Sequence, residues 1–199
     1  MQLLKALVRR PLLASNISPA AVFRTIETSA ATLLIDEADT FLRTNDELRG
    51  ILNAGHDRES ATVVRCVGDE FEPRQFDVWA PVAVALIGTL PDTLTDRSVV
   101  IPMKRRATTE AVDRLRKKNL RGLETLARKT ARWCIDNVYT LDDNETFLPQ
   151  NLNDRAADNW EPLFAIADRV GGKWPEDARQ AALRLSGDIA EHDDSAPLA

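Results

Sequence analysis

The stretch TLLIDEADTF, residues 32–41, runs an apolar segment straight into Asp36 and Glu37, and a third carboxylate, Asp39, follows two residues later. In an open parallel sheet, ligands collect beyond the carboxyl ends of the strands, which is where these acids would emerge. The first can hold the water shell of a Mg²⁺ ion, and the second can orient a water towards a γ-phosphate. The same carboxylates also suit the start of a following helix, whose unpaired N–H groups favour negative charge. On these residues alone, neither use excludes the other.

Three more positions can join such a site. Thr89 closes the run VAVALIGT, and its hydroxyl can bind an attacking water or a γ-phosphate if that strand neighbours the first; it also suits a turn before Pro91. Arg97, in LPDTLTDRSVVIPM, can reach a phosphate across a subunit boundary, or it can pair with Asp92 or Asp96. Arg155, in LNDRAADNWEPL, opens a helix with Ala156, Trp160, Leu163 and Phe164 on its apolar face; it can point back to a nucleotide or lie at the surface.

The elements that would position these groups follow from the hydropathy pattern. Leu3, Leu4, Leu7 and Val8 are at helical spacing until Pro11, and PLLASN reads as a short buried strand. Ser18 and Pro19 open a helix, Thr32–Ile35 is a strand, and Asn45 starts a helix that Gly55 ends. ATVVRCVGDEFEPRQFDVWAP predicts a hairpin or two short strands. VAVALIG and RSVVIPM are apolar throughout, as strands buried on both faces are. From Thr108 the spacing turns helical, through one long or two shorter helices and two more, the last with Pro175 near its start. The expected fold class is therefore α/β, a parallel sheet with helices followed by an all-helical C-terminal subdomain. The boundaries are 1–106 for the core, 107–187 for the lid-like helices and 188–199 for a flexible acidic tail.

Charge is unevenly spread. Lys104 to Arg132 holds eleven Lys/Arg against three Asp/Glu, and Asp136 to Ala199 holds five against fourteen. A phosphate-binding surface, DNA included, is expected on the first segment, although a solvated helix face is the commoner use of most such charges. Cys66 and Cys134 are far apart in apolar segments and are expected to be buried and reduced. His56 and His192 are too few to suggest zinc or a hydrolytic triad. With no signal peptide and no apolar run of about eighteen residues, the chain is expected to be cytoplasmic, without a membrane partner.

A strand ending in Asp-Glu, a strand ending in Thr, L-x-D-R before a further strand, then helices with a late arginine: this order resembles the AAA+ class of P-loop ATPases. TLLIDEADTFL, ELRGILNAGH, VVRCVGD, WAPVAVALIGTLPDTLTDRSVVIPMKRR and LNDRAADNWEPLFAIAD resemble the domain of unknown function 3631 family more closely, from about Pro11 to Gly187. Its members look like ATPase modules of phage-, plasmid- and prophage-borne proteins, often beside primase- or helicase-type domains. The resemblance implies Mg-ATP as cofactor, Asp36 and Glu37 as the Walker B acids with Asp36 on the metal, Thr89 as first sensor and Arg97 as arginine finger. It also implies Arg155 as second sensor.

The companion of such acids is a phosphate cradle, G-x-x-x-x-G-K-[ST] between a strand and a helix. This sequence does not contain it: Gly172-Lys173 is followed by Trp174. By the resemblance, LLKALVRRPLLASN is similar to the helix after the cradle, so Met1 falls just past its lysine and a strand inside the sheet is missing. The expectation is an N-terminally shortened family member with negligible ATPase activity alone. It would be completed by an N-terminal companion segment or by a neighbouring subunit of a homo-oligomer. The alternatives are a non-catalytic module binding nucleic acid or protein, with Lys117, Lys118 and Arg121 among the DNA contacts, or a decayed remnant.

Overall fold

In the computed structural model, the described residues are 1–113, 115–116, 120–142 and 146–193; they mix helices and strands as far as Val84, and the elements from Leu120 on are all helices. Contacts divide them into two compact units, one of Met1–Leu94 with Val112–Arg132, the other of Thr95–Ala111 with the chain from Trp133 onward.

In the first unit, α1 (Gln2–Leu7) leads into β1 (Pro11–Ala14), and α2 (Pro19–Ser29) carries the chain to β2 (Thr32–Ile35). The strand β1 pairs in parallel with β2, and β2 with β5 (Val82–Val84), in the order β1-β2-β5. β2, apolar after Thr32, is the middle strand, with Leu33, Leu34 and Ile35 fully buried, as a strand covered on both faces requires. Pro11 has no N–H to donate, which suits the first position of an edge strand.

Helix α2 begins where Ser18 Oγ accepts the N–H of Ala21 at 3.3 Å, with Pro19 at its first position. Its Val22, Phe23 and Ile26 are buried. An antiparallel hairpin, β3 (Thr62–Val67) and β4 (Glu72–Asp77), packs here, with the Phe23 and Phe76 rings 4.5 Å apart. Each such buried side chain contributes about 1.5–3 kcal/mol over its exposed state. Helix α3 (Asp46–Ala54) is capped by Asn45, whose side-chain oxygen accepts the Leu48 N–H at 2.9 Å, and Leu48 and Ile51 enter the same core. At Gly55, which ends α3, a Cβ would lie 2.5 Å from the Val78 carbonyl oxygen.

Several sequence expectations are corrected. VAVALIG forms only the three-residue β5, an edge strand with Val82 42% exposed, because β2 alone pairs with it among the described residues. Half-buried β1 is likewise an edge, so PLLASN is not a buried strand. RSVVIPM forms no strand: without a ladder partner it runs irregularly, and Ile101 and Met103 are 66% and 87% exposed. After α4 (Asp92–Thr95), the described residues from Thr108 to Arg116 are not helical as expected, and α5 spans Leu120–Asp142. Cys66 and Cys134 are both exposed free thiols, on the outer faces of β3 and α5.

The second unit centres on α6 (Asp154–Val170) and α7 (Trp174–Asp193). Asn153 caps α6 by accepting the Ala156 N–H at 2.8 Å. Trp160 and Phe164 stack at 5.8 Å and pack with Ala182 of α7 and with Val99. Arg179 of α7 donates to both Asp168 carboxylate oxygens, at 2.7 and 2.8 Å, and to the Phe147 and Pro175 carbonyls. Its guanidinium also lies over the Phe147 and Phe164 rings. Those hydrogen bonds hold the Asp168 carboxyl below its ordinary range and raise Arg179. Helix α7 runs on past Gly187 to Asp193, and the rest of the expected tail, 194–199, lies outside the described residues.

Candidate functional site

The acids sit where β2 stops. The Asp36 N–H still donates to Ala14 O at 2.8 Å, extending the β1–β2 ladder, and Asp36 Oδ1 accepts the Glu37 N–H at 3.2 Å. Glu37 then turns the chain with φ 55° and ψ 35°, a left-handed conformation that costs a non-glycine residue about 1 kcal/mol. The chain continues through two single 3₁₀ turns, Ala38–Thr40 and Leu42–Thr44, before α3. No acid of the cluster caps an α-helix among the described residues: Asn45 caps α3, and Asp39 accepts a loop N–H instead.

That loop follows β5, and three ties stitch it to the turn after β2. Ala38 N–H donates to Ala85 O at 3.0 Å, Ile87 N–H to Asp39 Oδ1 at 3.1 Å, and Arg43 Nη2 to Thr89 at 3.1 Å (O) and 3.2 Å (Oγ1). Because β2 and β5 are parallel neighbours, Asp36, Glu37 and Thr89 leave the same edge of the sheet. Beside Thr89 opens a cleft of about 510 Å³ lined by Arg43, Arg49 and the segment Thr89–Thr93. Arg49 is committed to the turn wall: it donates to the Leu42 and Arg43 carbonyls and pairs with Asp46.

Arg97 and Arg155 belong to the second unit. Arg155 Nη1 pairs with Asp96 Oδ2 at 3.0 Å, and Asn159 Nδ2 donates to the Asp96 carbonyl at 2.9 Å. The first two turns of α6 therefore hold the residue immediately before Arg97, which is itself half-buried. Arg155 and Asp96 are each more than half exposed, so their attraction is screened and contributes little stability.

Arg43 and Asn159 were not singled out by sequence. Arg43 follows Asp36 by seven residues, but its reach to Thr89 spans 46 residues of chain, which no local spacing encodes. Of the basic stretch, Lys104, Arg105, Arg106, Arg116, Arg128, Lys129 and Arg132 are exposed; Lys117, Lys118 and the side chain of Arg121 lie outside the description. Among the described residues, no group of three or more His, Cys, Asp or Glu could hold a metal ion, and no helix is long and apolar enough to cross a membrane.

The acid site lies outside the stretch that a known family matches. Residues 102–198 match the family described as "Protein of unknown function (DUF3631)". The chain is also 42% identical over 92 residues to an "Uncharacterized 28.9 kDa protein in xis 5'region" of Saccharopolyspora erythraea. That alignment covers 46% of this chain and 34% of the relative, so the chain spans about a third of the relative's length. No solved structure matches.

Proposed function

We propose that the chain carries the carboxylate half of a Mg-nucleotide site, as part of an AAA+-like ATPase module of a mobile-element replication protein. The observation that carries this reading is the shared strand edge, where two stitched loops present Asp36, Glu37 and Thr89. The donor chemistry fits a hard cation. Asp36 makes one side-chain bond, to the next residue's N–H, so its oxygens keep acceptor capacity, and Glu37 is exposed. Bound Mg²⁺ would supply charge neutralisation at the phosphates.

In this reading Asp36 would hold the Mg²⁺, Glu37 would take up a proton from the attacking water, and the Thr89 hydroxyl would donate to a terminal phosphate oxygen. Arg97 acts in trans on a neighbouring subunit, and Arg155, in the helical unit, is the second-sensor candidate that the family resemblance implies. Since the sequence holds no G-x-x-x-x-G-K-[ST], affinity is weak and hydrolysis by the chain alone is negligible. The xis in the relative's printed name supports the mobile-element context.

Binding of a fluorescent ATP analogue with and without Mg²⁺ tests this. The expected result is weak binding that strengthens with Mg²⁺ and loses that dependence in Asp36→Asn. Binding indifferent to both Mg²⁺ and Asp36→Asn would overturn the reading, and robust turnover by the purified chain would refute its inactivity. A second reading, nucleic-acid binding without chemistry, is favoured by the exposed run Lys104–Arg106. It predicts DNA affinity that falls steeply with salt and is weakened by neutralising these three residues.

A further inference from the structure

Arg43 is an exposed arginine with no carboxylate partner among the described residues, on the wall of an open cleft. Its recorded bonds use Nη2 alone, shared between the carbonyl and hydroxyl of Thr89, so the remaining guanidinium donors are uncommitted. A guanidinium is always charged and matches phosphate oxygens with paired N–H groups. Arg49 donates to the Leu42 and Arg43 carbonyls and so ties down the backbone that carries Arg43, and Gly88, at φ 100°, lies beside the guanidinium at ordinary contact distance. Thr89 adds a hydroxyl on the same wall. One exposed carboxylate, Asp92, also lines the cleft.

We infer that Arg43 and Thr89 form a phosphoryl-anion subsite: the guanidinium binds phosphate oxygens through its uncommitted N–H groups, and the Thr89 hydroxyl turns from Arg43 to donate to the same anion. This deepens the nucleotide reading at Thr89 and rests on it for the identity of the natural ligand, but the anion contact itself requires neither Asp36 nor Glu37. Arg43 supplies within this chain a positive phosphate ligand on the acid-bearing edge, where no lysine of a cradle is present in the sequence.

The test is titration of the full chain with inorganic pyrophosphate in metal-free buffer. It is followed by NMR on the Gly88 and Thr89 amides and the Arg43 side-chain N–H. Saturable shifts are expected, weakened about fivefold by Arg43→Gln and about threefold by Thr89→Val, and strengthened about twofold by Asp92→Asn, which removes the opposing charge. Thr89→Val is the safeguard if Arg43→Gln perturbs the fold, because Thr89 is exposed and valine keeps its shape. Shifts no larger than those from sodium chloride at equal ionic strength would overturn the subsite, as would equal affinity in Arg43→Gln with the fold intact. Mg²⁺-dependent ATP binding that Asp36→Asn abolishes and Arg43→Gln leaves unchanged would sink the subsite while keeping the nucleotide reading. Pyrophosphate binding lost in Arg43→Gln but unchanged in Asp36→Asn would support the subsite whatever becomes of the acids.

Discussion

Two arginines, one in each unit, show how differently the same side chain can be used. Arg179 is closed in: both Asp168 oxygens and two carbonyls accept its protons, and two aromatic rings cover its plane. Arg43 stands on an open wall with one nitrogen engaged and, among the described residues, a threonine as the polar partner of its side chain. A saturated guanidinium joins chain segments, here α7, α6 and the Phe147 backbone, and has no donors left for a ligand. An unsaturated one contributes little to holding the fold and keeps its donors for something that arrives. The acids follow the same division, since Asp168 is consumed by its partner whereas Asp36 and Glu37 are not.

The largest effect that would break this comparison is on stability. Arg179→Ala should destabilise the protein by about 2–3 kcal/mol in urea unfolding, because it strands a partly buried carboxylate and two carbonyls. Arg43→Ala should cost less than about 0.5 kcal/mol. Similar losses would erase the distinction between joint and ligand.

Acid should act on one arginine and spare the other. Arg179 hydrogen bonds depress the Asp168 carboxyl below its ordinary 3.8, so the stabilisation is fully present above that value and is lost as pH falls through the lower folded one. The urea midpoint should therefore decline below about pH 4, and Asp168→Asn should remove that part of the decline. An unchanged pH profile in Asp168→Asn would show that the pair contributes nothing to folding.

Helix caps supply a smaller, symmetrical check. Asn45→Ala and Asn153→Ala each remove one side-chain acceptor from the start of a helix, α3 or α6, and each should cost about 1 kcal/mol. The smallest change should be a gain. Glu37→Gly places a residue that tolerates the left-handed region where a carboxylate now stands, and should raise stability by up to about 0.5 kcal/mol. In the proposed reading the same substitution removes the group that takes the proton, so stability and function would move in opposite directions at one position.

Much of the local structure was legible because its causes are local. Ser18-Pro19 and Asn45 mark helix starts by their own chemistry, and Leu33–Ile35 is buried as its composition requires. The segments misread, Val82–Gly88 and Arg97–Met103, are those whose state depends on a neighbour. An apolar run signals a buried strand only if another strand lies beside it, and among the described residues β5 has one such neighbour and the second run has none. The placement of Asp36 and Thr89 on one edge follows from the parallel alternation of elements. The ties Arg43–Thr89 and Arg155–Asp96 cross 46 and 59 residues of chain, and no spacing rule reaches that far. Exposure of Cys66 and Cys134 was misjudged for a related reason, since apolar neighbours in sequence do not decide which face of a strand or helix turns inward.

The missing side chain at residue 55 has a mechanical consequence. With φ −75° the backbone there is ordinary, so only crowding calls for glycine: the Val78 carbonyl rests where a methyl group would be. Four residues past Val78 the chain enters β5, and beyond β5 comes the loop bearing Thr89. Gly55→Ala would act as a wedge driven in at the far end of a lever. The displacement would begin at Val78 and arrive as altered spacing between the threonine and the acids, with no residue of the site having been touched.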